Sequence, residues 1–486
     1  MTGEVDAAAR HHLLRADGQE DLCFALWRPS TGRSRITALI FELVLPEPGE
    51  RHVHGNASFE SHYLVRAMAL AAAKGCGVAL MHSHPGGRGW QGMSDDDVRA
   101  EQGNAAAVFG ATKLPFVGLT LAGGNAAWSA RFWERTAPRT YPRQWCGTVR
   151  VVGNKLGLSY NDTLAPRPRA TREQVRTVSA WGEDCQADLV RLRIGVIGAG
   201  SVGAIVAEGL ARSGFEDVLV MDFDWVEEHN LDRLLYATRR DIGTLKIDVL
   251  TRHMDEVATA SPFRTEAIDK AVFEEEGFRA ALDCDVLIAC VDRPWGRYVL
   301  NLIAYAHLIP VIDGGIAVRT NRFGKLTAAD WRAHTCVPGR ACLQCLGQYD
   351  AGFVQMEREG MLDDPTYIEN LAKDHPLKMR ENVFAFSLGC GAMQILQLLA
   401  YVVAPLGLSN PGAQLYHFVG NATEPPAFDP CDADCRFAGL VATGDHCGIP
   451  ATGPRPASPA RPIPRTVTGI VDARPWWRRF LSKLGL

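Results

Sequence analysis

The stretch RIGVIGAGSVGAIVAEGLARSGFEDVLVMDFDWVEEHNLDRLLYATRRDIGTLK, Arg193 to Lys246, decides the fold. It runs as a buried strand, a glycine turn, a helix and a second strand ending in an acid, the pattern of a nucleotide-binding βαβ unit. Gly198, Gly200 and Gly203 form GxGxxG. The first two permit a tight turn and close approach of the backbone to phosphate, and the third lets the helix pack on the strand. Asp222 closes the second strand about twenty residues on, where a carboxylate accepts hydrogen bonds from ribose hydroxyls. On these residues alone NAD and ATP both remain open, as does an ordinary strand-to-helix turn.

The residues after Asp222 narrow the choice. DFDWVEEHNLDR, then IGTLK, then CVDR at Cys290 to Arg293 resemble the ubiquitin-activating, ThiF/MoeB-type adenylyltransferases, whose pattern is DxDxVxxxNLxR, IGxxK and a later strand-end aspartate. A dehydrogenase has no use for Asn230, Arg233 and Lys246 gathered beyond its second strand. An adenylating enzyme has one, because splitting a triphosphate between its α and β phosphates develops negative charge on pyrophosphate that Arg and Lys stabilise. The resemblance implies Asp222 on ribose, Asn230, Arg233 and Lys246 around the triphosphate, and Asp292 on magnesium.

Moving outward, 486 residues with 22% charged side chains suffice for two or three packed domains. A net charge of −4 argues against a general nucleic-acid binder. Thirteen cysteines, an odd number, accompany a start, MTGEVDAAARHH, that lacks the apolar core of a signal peptide. Reduced thiols and metal ligation in a cytoplasm are therefore expected. The apolar run Val383 to Leu408 is interrupted by Ser387, Gln394, Gln397 and Pro405, which suits a buried helix better than a membrane span.

The N-terminal part carries VALMHSHPGGRGWQGMSDDD. Alternation in GVALMHSH predicts a strand, so His82 and His84 project to one face and can grip one metal. Ser94 sits at a helix N-cap position with Asp97 three residues on, and a capping box is the plain account of that pair. The combination resembles the JAB/MPN (JAMM) metalloprotease signature, HxHP then SxxD, although eight residues separate Pro85 from Ser94, about two more than the commonest spacing. The resemblance implies zinc on His82, His84 and Asp97, water in the fourth position, and Ser94 near the oxyanion. It also calls for a glutamate as general base. Glu20, in GQEDLCFALWRP before a short apolar strand, is the favoured candidate; Glu42, inside ITALIFELVLP, is the other. A helix is expected over Ser58 to Lys74, and two strands around a Gly-Gly turn in LPFVGLTLAGGNAAWSARFW. The boundary falls near residue 165, in LAPRPRATRE. Beyond it comes a basic lead-in helix in which Arg172 and Arg176 are either ligands of a neighbouring subunit's ATP or simple surface arginines.

Further on, DVLIACVD and LIPVIDGGIAV extend the parallel sheet. Cys342 and Cys345 form CxxC, and Cys431 and Cys435 form CxxxC about ninety residues later. Four thiolates suit a tetrahedral structural zinc, though the related family usually shows CxxC at both ends. A thioester-forming enzyme needs a further reactive cysteine. Cys390 lies in an expected packed helix, where a thiol is inert, and Cys336, read as lying on a loop, is the outside candidate. After His446 the chain becomes a proline-rich linker and ends in RPWWRRFLSKLGL. Between Ala451 and Leu486 there are seven Lys or Arg against one Asp, so this tail could meet a partner or an anionic membrane surface.

The expected fold class is therefore α/β. A JAB/MPN (cytidine-deaminase-like) domain spans 1–165, a Rossmann-like, mostly parallel-sheet adenylation domain spans 166–448, and a linker and tail span 449–486. Together the two resemblances imply a bacterial-type fusion that trims or deconjugates a ubiquitin-like or sulfur-carrier protein after its C-terminal glycine and adenylates the freed carboxylate with ATP and Mg2+. Conjugation, with a conjugating enzyme as a further partner, and sulfur transfer both stay open, and the family resemblance implies a homodimer. The alternatives are a JAB half that only binds the modifier and, from a different class, an NAD-dependent oxidoreductase.

Overall fold

A computed structural model describes residues 1–363, 382–407, 412–424, 428–456 and 461–462. The basic-aromatic tail lies outside the described residues.

The N-terminal half begins with helix α1 (Gly3–Leu13), strands β1 (Leu22–Thr31) and β2 (Ile36–Val44), and a small hairpin of β3 (Arg51–His54) and β4 (Asn56–Phe59). Helix α2 (Ser61–Lys74), strand β5 (Gly77–His84) and helix α3 (Asp95–Thr112) follow. The α2 helix starts later than the sequence pattern suggests because Asn56 to Phe59 pair with Arg51 to His54 instead. Strands β6 (Phe116–Ala122), β7 (Trp128–Trp133) and β8 (Arg143–Trp145) complete a sheet ordered β2-β1-β5-β6-β7-β8, and β9 (Thr148–Val152) pairs with β10 (Leu156–Tyr160).

Side chains alternate across a strand, and β1 obeys this on both faces. Leu22, Phe24 and Leu26 pack with Tyr63, Leu64 and Ala67 of α2, while Cys23, Ala25 and Trp27 pack with Ala9 and Leu13 of α1. In β5, Val78 and Leu80 share the α2 side. His82 and His84 follow them at the same period, so the strand delivers both imidazoles to the face on which α3 begins.

The C-terminal half is a doubly covered sheet. Helices α4 (Val175–Trp181) and α5 (Glu183–Val190) lead into β11 (Arg193–Ile197), α6 (Ser201–Ser213), β12 (Asp217–Met221), α7 (Lys246–Val257) and β13 (Arg264–Ile268). Then come α8 (Glu275–Ala281), β14 (Val286–Ala289), α9 (Pro294–Ala306), β15 (Val311–Thr320), β16 (Leu326–Cys336), α10 (Ala351–Arg358), β17 (Gln414–His417) and β18 (Ala422–Thr423). The sheet order is β13-β12-β11-β14-β15-β16-β17-β18, parallel through β15 and antiparallel beyond it. The strand-interior runs are apolar on both faces, as a parallel sheet covered on both sides requires.

The helix Phe384–Val403 is long and apolar enough, by length and composition, to cross a membrane. Its buried polar side chains are committed to the sheet: the Gln394 amide donates to the carbonyls of Ala289 and Ile312 (2.9 and 3.0 Å), and the Gln397 amide donates to Gly412. A lipid-facing helix has no use for such bonds, so this is a core helix, half-covered, with Leu388 and Leu396 exposed.

The two halves share an interface. The turn between β1 and β2 lies on Asp283, which accepts from the Ser34 and Arg35 amides, while Arg35 and Arg150 both reach Asp285 (2.6 and 3.0 Å). A Cβ on Gly32 would sit 2.0 Å from an Asp283 carboxylate oxygen, so only glycine permits this approach. Leu39, Val152 and Leu156 complete the core that α6 and α7 build against the large sheet.

Candidate functional site

In the βαβ unit, Gly198 has φ +104°, and a Cβ there would meet the Cys290 carbonyl at 2.5 Å; one on Gly203 would meet the Gly198 carbonyl at 1.9 Å. Those two glycines are demanded by packing. Gly200 faces open space and caps α6 without a side chain, so the first amides of the helix are left for an anion.

Asp222 directly follows β12, with both carboxylate oxygens accepting backbone N–H groups, from Ala199 at 2.6 Å and Asp224 at 2.8 Å. Burial pushes its carboxyl up, Asp224 adds to that, and Lys246 opposes it. Lys246 is the first residue of α7 and donates to Asp224 Oδ2 at 2.7 Å. Burial alone would lower its ammonium, but Asp222, Asp224 and Asp292 together hold it above the ordinary lysine value. The strand ends thus bring Lys246 and three carboxylates to the mouth of the glycine turn, with Asp292 exposed beyond β14.

Two predicted residues behave differently. The guanidinium of Arg233 donates to the His229 carbonyl (2.6 Å) and to Asp232 (2.8 Å), so it is held by its own turn rather than brought to Lys246; the carbonyl one helical turn back and the adjacent carboxylate are its nearest acceptors. Asn230 is buried and accepts from the Glu227 amide at 3.1 Å, which makes it a turn cap in this structure. Three residues were not singled out in the sequence. Asp224 is the partner of Lys246. Tyr236 donates to the Ala199 carbonyl at 2.6 Å and pins the glycine turn. Ser201, at the start of α6, accepts from Asn382 (2.8 Å) and Ser387 (3.0 Å). The second aspartate of DxDx was a readable signal; Tyr236 and Ser201 had none. Arg172 and Arg176 are exposed.

On the other sheet, ligand-type atoms of His82, His84 and Asp97 lie within 4.8 Å of one another. His82 Nε2 is 3.3 Å from His84 Nε2, and the Asp97 carboxylate lies 3.8 Å from the first and 3.7 Å from the second. Ser94 and Asp97 do form a capping box: the Ser94 hydroxyl accepts from the Asp97 amide at 3.1 Å and Asp97 accepts from the Ser94 amide at 2.9 Å. The cap and the ligand position are therefore the same geometry, since capping turns Asp97 towards the histidines. Burial, then Arg131, pulls His82 down to about 3, so it stays neutral. His84 Nδ1 faces the Gln91 carbonyl oxygen at 3.3 Å, which leaves its Nε2 lone pair for the site. Although burial works the other way, bonds from His84 and Ser94 hold Asp97 well below the ordinary carboxylate range. The bond to Asp97 raises His84, and two imidazole nitrogens and a carboxylate facing each other fit a zinc ion that would replace the proton His84 shares with Asp97.

Glu20 is half-buried, and its carboxyl is pushed up by burial and further by Asp97 while His84 opposes. It thus sits within electrostatic reach of both ligands. Glu42 instead pairs with Lys74 on the exposed edge of β2.

At the far end of the large sheet, the Sγ atoms of Cys342, Cys345, Cys431 and Cys435 all lie within 4.8 Å of one another. Backbone N–H groups of Cys342 and Asp432 point at Cys431 and Cys345 (3.3 and 3.5 Å), as they do around thiolate sulfur. The longer CxxxC spacing still converges. Cys336 corrects an expectation: it is the last residue of β16, fully buried, with its thiol on Asn301 at 3.3 Å. Burial, reinforced by Cys342, raises it well above the ordinary thiol value, which rules out an accessible nucleophile. Cys390 is likewise buried in its helix.

Residues 171–422 match the ThiF family. The chain is 34% identical over 156 residues to tRNA threonylcarbamoyladenosine dehydratase 2 of Saccharomyces cerevisiae, covering 32% of this chain and 34% of that one. It is 29% identical over 168 residues to the SAMP-activating enzyme E1 of Haloferax volcanii, covering 34% of this chain and 57% of that one. The chain thus spans about a third to somewhat over half of these relatives' lengths. Among solved structures, E. coli MccB with MccA-N7isoASN is similar at 17% identity and TM-score 0.42, over 55% of this chain and 75% of that one.

Proposed function

The chain belongs to the ThiF family, and from that premise we propose that its C-terminal half adenylates the C-terminal carboxylate of a ubiquitin-like or sulfur-carrier protein. ATP and Mg2+ are the co-substrates. A carboxylate oxygen attacks the α-phosphorus, the bond to the bridging oxygen breaks, and pyrophosphate leaves. The observation that carries this is Lys246, the first residue of α7, held charged among Asp222, Asp224 and Asp292, with Asp222 bonded to the Ala199 amide just before the uncapped start of α6. Lys246 meets the charge that develops on pyrophosphate, and Asp292 is the magnesium-side carboxylate. Asp222 is the ribose acceptor. Arg233 joins only after exchanging Asp232 for a phosphate, a swap that a single surface carboxylate does not prevent. The names of similar proteins, the SAMP-activating enzyme E1 and the adenylyltransferase and sulfurtransferase UBA4, support this substrate class.

The N-terminal half, on the same proposal, cleaves a peptide or isopeptide bond after the carrier's terminal glycine and so supplies the free carboxylate. His82, His84 and Asp97 would hold a zinc ion, which when bound supplies a nucleophilic water at neutral pH. Glu20 takes the proton of that water and returns it to the leaving amine, and the Ser94 hydroxyl proton faces the oxyanion. The four cysteines would hold a second, structural zinc.

Exchange between ATP and labelled pyrophosphate, driven by diglycine-ended carrier proteins, tests the first activity, and cleavage of tail-extended carriers tests the second. Asp292→Ala is expected to abolish exchange and spare cleavage; His82→Ala is expected to do the reverse. No exchange with any such carrier, or NADH formation instead, overturns the adenylation proposal. Zinc bound at the histidines without cleavage converts the N-terminal half into a carrier-binding module.

A further inference from the structure

Behind His82 lies a polar chain with no access to water. Glu101 of α3, Arg131 of β7 and Thr120 of β6 are each fully buried. The Arg131 guanidinium donates to both Glu101 oxygens, one bond at 2.9 Å and the other shorter, and Trp133 Nε1 donates to the same carboxylate at 2.6 Å. Gly118 stands in register with Arg131, and a Cβ there would lie 2.3 Å from Glu101 Oε2 and 2.5 Å from Arg131 Nε. Glycine at this position leaves the room in which the ion pair is buried. Burying a pair costs about as much as its attraction returns, and often more, so stability alone does not explain it.

The chain ends on the histidine site. Arg131 Nη1 donates to Thr120 Oγ1 at 2.6 Å, and Thr120, in register with His82, places the same oxygen 3.3 Å from His82 Nε2. Direction follows from donor chemistry. A guanidinium only donates, so Thr120 accepts from it and still has its own proton to place. A buried hydroxyl proton with no acceptor costs on the order of 1–3 kcal/mol, and the ring nitrogen of His82 is within reach. His82 Nε2 therefore accepts, which puts the ring proton on Nδ1 and the lone pair on the side that faces His84 and Asp97. The two distances rank the bonds: at 2.6 Å the arginine bond fixes the hydroxyl, and at 3.3 Å the histidine bond is weak enough for a cation to displace.

Resting on the zinc reading above, we propose that Thr120, oriented by the buried Arg131–Glu101 pair, is a positioning residue that presents His82 in the metal-ready tautomer before the ion arrives. Chelator-competition titration of zinc on the full chain tests this, with His82→Ala identifying the histidine-site class against the four-cysteine class. Thr120→Val, which keeps the shape and removes the hydroxyl, is expected to move the His82 ring proton towards Nε2 in the metal-free protein, read by nitrogen NMR, and to leave the histidine class no weaker than wild type, because the bond it removes is one the ion displaces. Thr120→Ser is expected to keep the proton on Nδ1. Nitrogen NMR of His82 in the metal-free wild type, which needs no variant to fold, is expected to show the proton on Nδ1. A proton on His82 Nε2 in the wild type, or one still held on Nδ1 in a folded Thr120→Val protein, overturns the proposal while the zinc reading stands. Wild-type protein with no zinc class sensitive to His82→Ala overturns the zinc reading and this proposal together.

Discussion

The two candidate sites use one plan, a strand end facing a helix start, but differ in their charge. The nucleotide site carries its own counter-charge: Lys246 is already paired with Asp224, and Asp222 already accepts two backbone N–H groups. It is electrostatically closed before any ligand arrives. The histidine site is paired only through a proton that His84 shares with Asp97, with two imidazole nitrogens and that carboxylate within 4.8 Å of one another. On the proposed roles, the first takes a substrate that comes and goes and the second an ion that stays. Such sites should fail independently, and the largest effects test that. Lys246→Ala is expected to slow ATP–pyrophosphate exchange about 10²–10³-fold with carrier cleavage unchanged. Glu20→Gln is expected to slow cleavage about 10²–10⁴-fold with exchange unchanged. Loss of both activities in either folded variant breaks the comparison.

Independence of chemistry does not mean independence of fold, because the interface is itself built of buried polar groups. Ser30 meets His307 at 2.8 Å across it, and burial pulls His307 down from 6.5 to about 4. Between those two pH values the unfolded chain binds a proton that the folded chain refuses. Stability is therefore complete above about pH 6.5 and falls on acidification towards pH 4, by on the order of 3 kcal/mol for this residue. His307→Gln is expected to flatten the acid limb of a melting-temperature profile measured from about pH 7 to about pH 4. An unchanged limb would show that other histidines dominate.

The contrast in charge gives a third, slightly smaller effect. Zinc at about a hundred times its dissociation constant is expected to stabilise the fold by about 2.7 kcal/mol through the histidine site, an increment that His84→Ala should remove while the four-cysteine contribution persists. ATP with Mg2+ should add far less at the same free concentration, because separating Lys246 from Asp224 raises its dissociation constant. Equal increments would show that the nucleotide site is no more closed than its neighbour.

Legibility in the sequence followed the same division. Spacing along one strand or helix was readable: the βαβ turn, the i,i+2 histidines on β5, the Ser94–Asp97 box and the two cysteine pairs all appear where local periodicity puts them. What the sequence hid was set by partners distant in the chain or by how far an element runs. Arg233 is the exception, held by its near neighbours His229 and Asp232 in a turn that carries no motif, whereas nothing near Cys336 announces that β16 continues through it and buries its thiol on Asn301. The Glu101–Arg131–Thr120 chain crosses three elements and leaves no motif, because register between strands, not spacing within them, brings it together.

The smallest effect separates the two glutamates that the sequence could not. Both lie beside apolar strand residues, so composition treats them alike. Their surroundings do not. Glu20 is half-buried, and burial raises its carboxyl with Asp97 adding and His84 opposing, whereas Glu42 faces solvent and pairs with Lys74. An exposed lysine–glutamate pair contributes roughly 0.2–1 kcal/mol, because water and salt screen it and two long side chains must be ordered to make it. Glu42→Gln should therefore lower stability by no more than about 1 kcal/mol, a loss that shrinks as salt is raised. Cleavage should stay within about twofold of wild type, since general-base proton transfer needs a carboxylate within reach of the reacting water. A large loss of cleavage in Glu42→Gln, with Glu20→Gln still active, would exchange the roles of the two glutamates and place the reacting face of the small sheet on its outer edge.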